Sequence, residues 1–189
     1  MKKIALLLLS LGLFSSCGDK NAKKNDETTQ LHSEEITSEQ TMEQEELLGI
    51  KKRSDLEAAP YASWFSPNYK EYQVDQDIAN QLKPLLKDVT VKVFMGTWCS
   101  DSQQQTPPFY KILDAVDYNE EKLTLITVSR AKTTPDKHEE GLDIKKVPTF
   151  MFYKNGKELN RIVEYPIESL EKDMFAILSG KPYKHAYAE

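Results

Sequence analysis

Val89-Thr90-Val91-Lys92-Val93-Phe94-Met95-Gly96-Thr97-Trp98-Cys99-Ser100-Asp101-Ser102 is the stretch that decides the fold of this 189-residue chain. Its first seven residues are apolar or β-branched at all but one position, as a buried strand requires. Lys92 is the exception, and it marks a more exposed face of that strand. Gly96 to Ser102 leaves the strand. Phe109, Ile112, Leu113 and Val116 then recur at helical spacing, with Pro107 and Pro108 expected to kink the early turns.

Upstream of this stretch, Ile78, Leu82, Leu85 and Leu86 predict a helix with Pro84 as a defect. Before that helix, Tyr61, Trp64, Phe65, Tyr69 and Tyr72 read as extended, aromatic-rich chain. Downstream, Leu123 to Val128 is a second strand, and a polar stretch containing Pro135 follows it. Val147 to Tyr153 is a third strand, and Asn155-Gly156 forms the turn of a hairpin into Glu158 to Glu164. Ser169 to Leu178 closes the pattern as a helix. A parallel βαβ half followed by an antiparallel hairpin is an α/β fold, with a central mixed β-sheet flanked by helices.

Composition narrows the function. The chain carries 25 Lys and Arg against 30 Asp and Glu, a net charge of -5. No excess of positive charge exists to neutralise phosphates, so a nucleic-acid partner is not expected. Two cysteines exclude a disulfide scaffold and a four-thiolate metal site, and three scattered histidines make no metal cluster. Neither a metal nor another cofactor is expected, and the length suits one domain with extra segments, read as a monomer.

The acidity is local. Between Gly18 and Leu48 stand nine carboxylates, three lysines and no aromatic residue, which leaves residues 49–189 close to neutral. Such a segment buries too little apolar surface to order itself, and residues 17–57 read as a solvated tether. Ahead of it, Lys2 and Lys3 precede a mostly apolar run from Ile4 to Phe14. That run is too short to span a membrane but fits the apolar region of a signal peptide over residues 1–16. Leu13-Phe14-Ser15-Ser16-Cys17-Gly18 resembles the lipobox of bacterial lipoproteins, in particular those of Bacteroidetes type. That resemblance implies a lipid anchor on Cys17 and a cell-envelope location outside the cytoplasm, at the outer membrane rather than the inner. The folded unit is expected over residues 58–182, with 183–189 as a tail.

Trp98-Cys99 with Ser102 three residues on, at a strand-to-helix junction, and Val147-Pro148-Thr149-Phe150 some fifty residues later resemble the thioredoxin superfamily. The hairpin Phe152-Tyr153-Lys154-Asn155-Gly156-Lys157-Glu158 strengthens that likeness. It implies a thioredoxin-like fold, a cis peptide bond before Pro148, and a groove at Trp98, Val147 and Thr149 where an extended partner pairs with backbone. Cys99 takes the nucleophile's place.

Three departures shape the chemistry. The resolving cysteine is replaced by Ser102, whose hydroxyl can donate to a Cys99 thiolate but cannot form a disulfide. Val93 stands where the family carries a buried proton-accepting carboxylate, and Asp101 brings a negative charge close to the sulfur. A helix start favours a thiolate, while Asp101 opposes it. With Cys17 acylated, Cys99 is the only free thiol, so exchange needs an external thiol.

Three classes stay open. One is monothiol exchange at Cys99, assisted by Ser102 and Pro148, on disulfide-containing envelope proteins or low-molecular-weight thiols. Another is a peptide-binding module that uses the groove beside Pro148. The last is a thiol trap or sensor. Arg130, Lys132 and His138 read as solvated loop residues, although Arg130 and Lys132 follow the second strand closely enough to approach the site.

Overall fold

The computed structural model describes residues 46–188, so the signal segment, Cys17 and most of the acidic tether lie outside the described residues. Five strands form one mixed sheet: β1 (Gly49–Lys51), β2 (Val89–Met95), β3 (Leu123–Thr127), β4 (Thr149–Lys154) and β5 (Lys157–Val163), in the order β1-β3-β2-β4-β5. β2 and β3 run parallel, joined by helix α4 (Ser100–Ala115), and β4 and β5 run antiparallel to their neighbours. The thioredoxin-like α/β fold expected from the sequence is the fold of the chain.

Alternation along β2 divides the core in two. Val89, Val91, Val93 and Met95 point to one face, where they meet Leu125, Phe150, Phe152 and Ile162. The helices supply the rest of that core: α1 (Arg53–Glu57) through Leu56, α2 (Ala62–Glu71) through Phe65, α3 (Gln76–Leu85) through Leu82, α4 through Phe109 and Ile112, and α5 (Leu170–Leu178) through Met174. Phe109 stacks on Phe150 with ring centroids 4.4 Å apart, at the centre of this layer. The opposite face holds Phe94, Ile126, Val128, Val147 and Met151, and is covered by Leu142 and Ile144 from the long β3–β4 connection and by Trp98 and Cys99. Lys92, on that second face, is partly buried, with its ammonium 5.6 Å from the centre of the Tyr153 ring.

Local chemistry sets the element ends. Asp75 caps α3 by accepting from the Ile78 amide at 3.1 Å, and Ser169 caps α5 by accepting from the Lys172 amide at 3.2 Å. Asn155 and Gly156, both at positive φ, make the two-residue hairpin turn that such dihedrals favour. α4 continues as helix through Pro107 and Pro108.

Three sequence expectations change. The folded unit begins before residue 58: β1 pairs antiparallel with β3, Gly49 opposite Thr127, and Leu56 is fully buried. The acidic composition upstream concealed Leu56, which enters the core, and Leu47, which packs partly buried against it, while Ile50 lies exposed on the edge strand. Tyr61 to Tyr72 is not extended; most of it forms α2. Spacing outweighs the β propensity of its aromatics, since Tyr61, Phe65 and Tyr69 recur every four residues. Phe65 stacks on Tyr69 at 6.1 Å. Residues 183–188 are not a free tail either. The Tyr183 hydroxyl donates to Asp173 at 2.8 Å, and the Asn160 amide donates to the Tyr183 carbonyl at 3.1 Å. Burial, then the hydrogen bond to Asp173, pushes the Tyr183 pKa upward, so the phenol stays a donor.

Candidate active site

Cys99 is the residue that caps the N-terminus of α4, at the carboxyl end of β2. The loop reaching it closes tightly: the Cys99 amide donates to the Gly96 carbonyl at 3.0 Å, and the Gln103 side-chain amide donates to the Thr97 carbonyl at 2.7 Å. The Trp98 indole folds back over Gly96 and donates from Nε1 to the Val128 carbonyl at 2.9 Å. A Cβ on Gly96 would lie 2.5 Å from that indole, so the close approach depends on glycine. Arg130 lies over the Trp98 ring, its guanidinium carbon 5.1 Å from the ring centre, and 3.9 Å separates Arg130 from the Glu46 carboxylate.

The Val147–Pro148 bond is cis, and its turn comes up against the cysteine. Cys99 Sγ donates to the Val147 carbonyl at 3.3 Å and has Asp101 Oδ2 at 4.0 Å. Both neighbours are electron-rich oxygens. Val93, six residues before Cys99, is fully buried, so no carboxylate stands there to take a proton.

Ser102 is brought to the site but not in the role expected of it. Its side chain is fully buried, and Oγ accepts from the Gly96 amide at 3.2 Å. No hydrogen bond joins it to Cys99 among the described residues. The hydroxyl braces the loop that carries the cysteine.

The groove residues divide by backbone and side chain. As whole residues, Val147 and Thr149 are 3% and 1% exposed. Thr149 Oγ1 donates to the Lys146 carbonyl at 2.7 Å and ties the turn together. The Val147 amide donates to none of the described residues. Trp98 packs with Phe94, Ile126, Val128, Val147 and Met151. Between Trp98 and α2 runs a cleft of about 430 Å³, lined by Tyr61, Trp64, Trp98, Gln103 and Arg130 among others.

Two expected loop residues stay apart from the site: Lys132 sits at positive φ in a turn, and His138 lies 3.8 Å from Asp136. Glu164, at the end of β5, was not singled out in the sequence. Its amide donates to the Pro148 carbonyl at 2.7 Å and its carboxylate accepts from Lys146 at 3.2 Å. No local pattern signals such a residue, because the β4–β5 hairpin alone brings it to the cis-proline turn.

The comparisons with known proteins agree with this geometry. Residues 69–175, which contain Cys99, Ser102 and Pro148, match the family model described as Thioredoxin. The chain is 28% identical over 102 residues to thioredoxin of Gallus gallus, covering 54% of this chain and 91% of that relative. A protein of unknown function from Pseudomonas aeruginosa shares the fold, with a TM-score of 0.50 and 15% identity over 65% of this chain and 86% of that one. Mitochondrial thioredoxin 3 of Saccharomyces cerevisiae is also similar, at 22% identity and a TM-score of 0.31 over 44% of this chain and 76% of that one. By its family match, with the cis-proline turn set against the cysteine at the helix start, the chain belongs to the thioredoxin family.

Proposed function

We propose that this protein performs thiol–disulfide exchange through the single thiol of Cys99, with an external thiol completing each cycle. The observation that carries the reading is the placement of Cys99 Sγ at 3.3 Å from the Val147 carbonyl, beside cis-Pro148 and a Val147 amide that donates to none of the described residues. An extended disulfide partner can pair with that backbone and present a sulfur to Cys99.

The thiol of Cys99 loses its proton to solvent, and the thiolate attacks one sulfur of a partner disulfide. A bond forms between Cys99 and that sulfur, the partner's S–S bond breaks, and the second sulfur leaves as a thiolate that takes up a proton. Ser102 offers no second sulfur. An external thiolate therefore attacks the mixed disulfide, restores Cys99 and carries away the first half of the partner as a new disulfide. Atoms and electrons balance without a cofactor. The substrates in this reading are disulfide-containing envelope proteins or adducts of low-molecular-weight thiols.

The chain acts at the cell envelope, anchored through an acylated Cys17 after removal of residues 1–16. The support is the basic start, the short apolar run and the small residues before Cys17. Mass spectrometry of the mature chain from membranes should show an acylated N-terminal Cys17; an unmodified Cys17 in a soluble mature chain would overturn the anchor and supply a second thiol. For the chemistry, the parent should reduce a protein disulfide only when an external monothiol is present, and Cys99→Ser should not. Equal activity of the two would leave the groove beside Pro148 as a binding surface.

A further inference from the structure

The cis-proline turn is held from outside the family's two motifs. Glu164 sits at positive φ just after β5, and its amide donates to the Pro148 carbonyl at 2.7 Å. Its carboxylate accepts from the Lys146 ammonium at 3.2 Å on one oxygen and from the Tyr187 hydroxyl on the other. The Lys146 ammonium in turn lies 5.0 Å from the centre of the Tyr187 ring. Glu164 thus grips the residue before Val147 and the residue after it, and Tyr187 from the C-terminal segment closes the grip. The side chain of Glu164 is 16% exposed, so its ion pair is partly shielded from water. The C-terminal segment is itself docked: Tyr183 donates to Asp173, and the Tyr187 ring packs edge-on against Tyr165 at 6.3 Å. Burial first, then the charges of Arg161 and Lys145, lowers the His185 pKa, and the Tyr187 amide donates to the His185 Nδ1 at 3.2 Å.

We infer that Glu164 is a positioning residue for the thiol site, and that with Lys146 and Tyr187 it clamps the turn that aims the Val147 backbone at Cys99 and at an extended disulfide partner. This inference rests on the exchange reading for its substrate, but the clamp has a readout of its own. The carbonyl of Val147 holds the Cys99 proton, while the amide of Val147 waits for a partner. Loosening the turn acts on these two functions in opposite directions. The sulfur is no longer held against the Val147 carbonyl, so a small neutral alkylating agent reaches it faster. An extended peptide loses an ordered edge to pair with, so mixed-disulfide formation with it slows.

The test uses the full chain at pH 7.5, with iodoacetamide and a peptide disulfide as probes and thermal unfolding alongside. In Glu164→Ala the alkylation rate should rise, and the peptide-disulfide rate should fall, each by about three- to tenfold, the range that one hydrogen bond of ordinary strength moves an equilibrium. Tyr187→Phe, which leaves the ring in place, should shift both rates in the same directions by a smaller factor. Glu164→Gln keeps an acceptor for Tyr187 and should fall between the parent and Glu164→Ala. If both rates fall together with the melting temperature, or neither moves, the clamp is only structural and the inference is overturned. Should Glu164→Ala fail to fold, Tyr187→Phe decides by the same two rates. A parent that forms no mixed disulfide, yet whose variants alkylate faster, would overturn the exchange reading and leave the clamp standing.

Discussion

The two faces of the sheet are built by different means. One is a dry layer of helices in which Phe109, Phe150, Phe152 and Met174 are fully buried. The other is a smaller apolar cluster covered by irregular chain, which single hydrogen bonds help to order: Trp98 to the Val128 carbonyl, Thr149 to the Lys146 carbonyl, and the Gly96 amide to Ser102 Oγ. Cys99 stands where the second face meets the end of α4. Stability therefore concentrates on the helical face and chemistry on the loop-covered one, and substitutions on the two should separate the two properties.

Cys99→Ser gives the sharpest contrast, with complete loss of mixed-disulfide formation and a melting temperature close to the parent's. Retention of a covalent adduct in that variant would show that another group reacts. Phe109→Ala should do the reverse. It removes a buried ring stacked on Phe150 and should lower stability by about 3–5 kcal/mol in denaturant titration, leaving the chemistry of any folded fraction in place. A loss under about 1 kcal/mol would mean that the helical face is not the main core.

Ser102 sits on the boundary between the two faces and tests whether it braces the loop. Ser102→Ala leaves the Gly96 amide without its acceptor, so stability should fall by about 1–3 kcal/mol. No change would return Ser102 to the role of a dispensable neighbour. Asp101→Asn should act on reactivity alone, raising the alkylation rate of Cys99 about two- to tenfold by removing a charge near the sulfur. A slower rate would reverse the sign assigned to Asp101. Thr106 carries the smallest effect. Its hydroxyl is buried on α4 with no partner among the described residues, so Thr106→Val should be neutral or stabilising, by up to about 1 kcal/mol. A clear loss of stability would point to a hydrogen bond that the static arrangement does not contain.

The helical face was the more legible of the two in the sequence. The near-continuous apolar run of Val89 to Met95, the helical recurrence of Phe109, Ile112 and Leu113, and the Asn155-Gly156 turn each carry their own pattern or turn chemistry. The cysteine and the cis-proline were legible through the resemblance to the thioredoxin superfamily that their motifs carry. Three parts were not. α2 was obscured because aromatic residues and Pro67 favour extended chain in isolation, and burial of Phe65 overrides that preference. β1 is three residues long, too short to show a period, and exists only because β3 offers an open edge. Glu164, Lys146 and Tyr187 belong to separate stretches of chain, and only the β4–β5 hairpin and the docked C-terminal segment bring them together. Ser102 was seen as a site residue, but its partner was not, since a buried hydroxyl serves whichever backbone group the loop turns toward it.

The most direct test of the central claim is the intact mass of the parent protein through one cycle. Exposure to a peptide disulfide should add the mass of one half-peptide, mapped to Cys99, and a low-molecular-weight thiol should then remove it and release the corresponding new disulfide. No adduct under those conditions, or an adduct that the added thiol cannot remove, would contradict exchange through a single thiol.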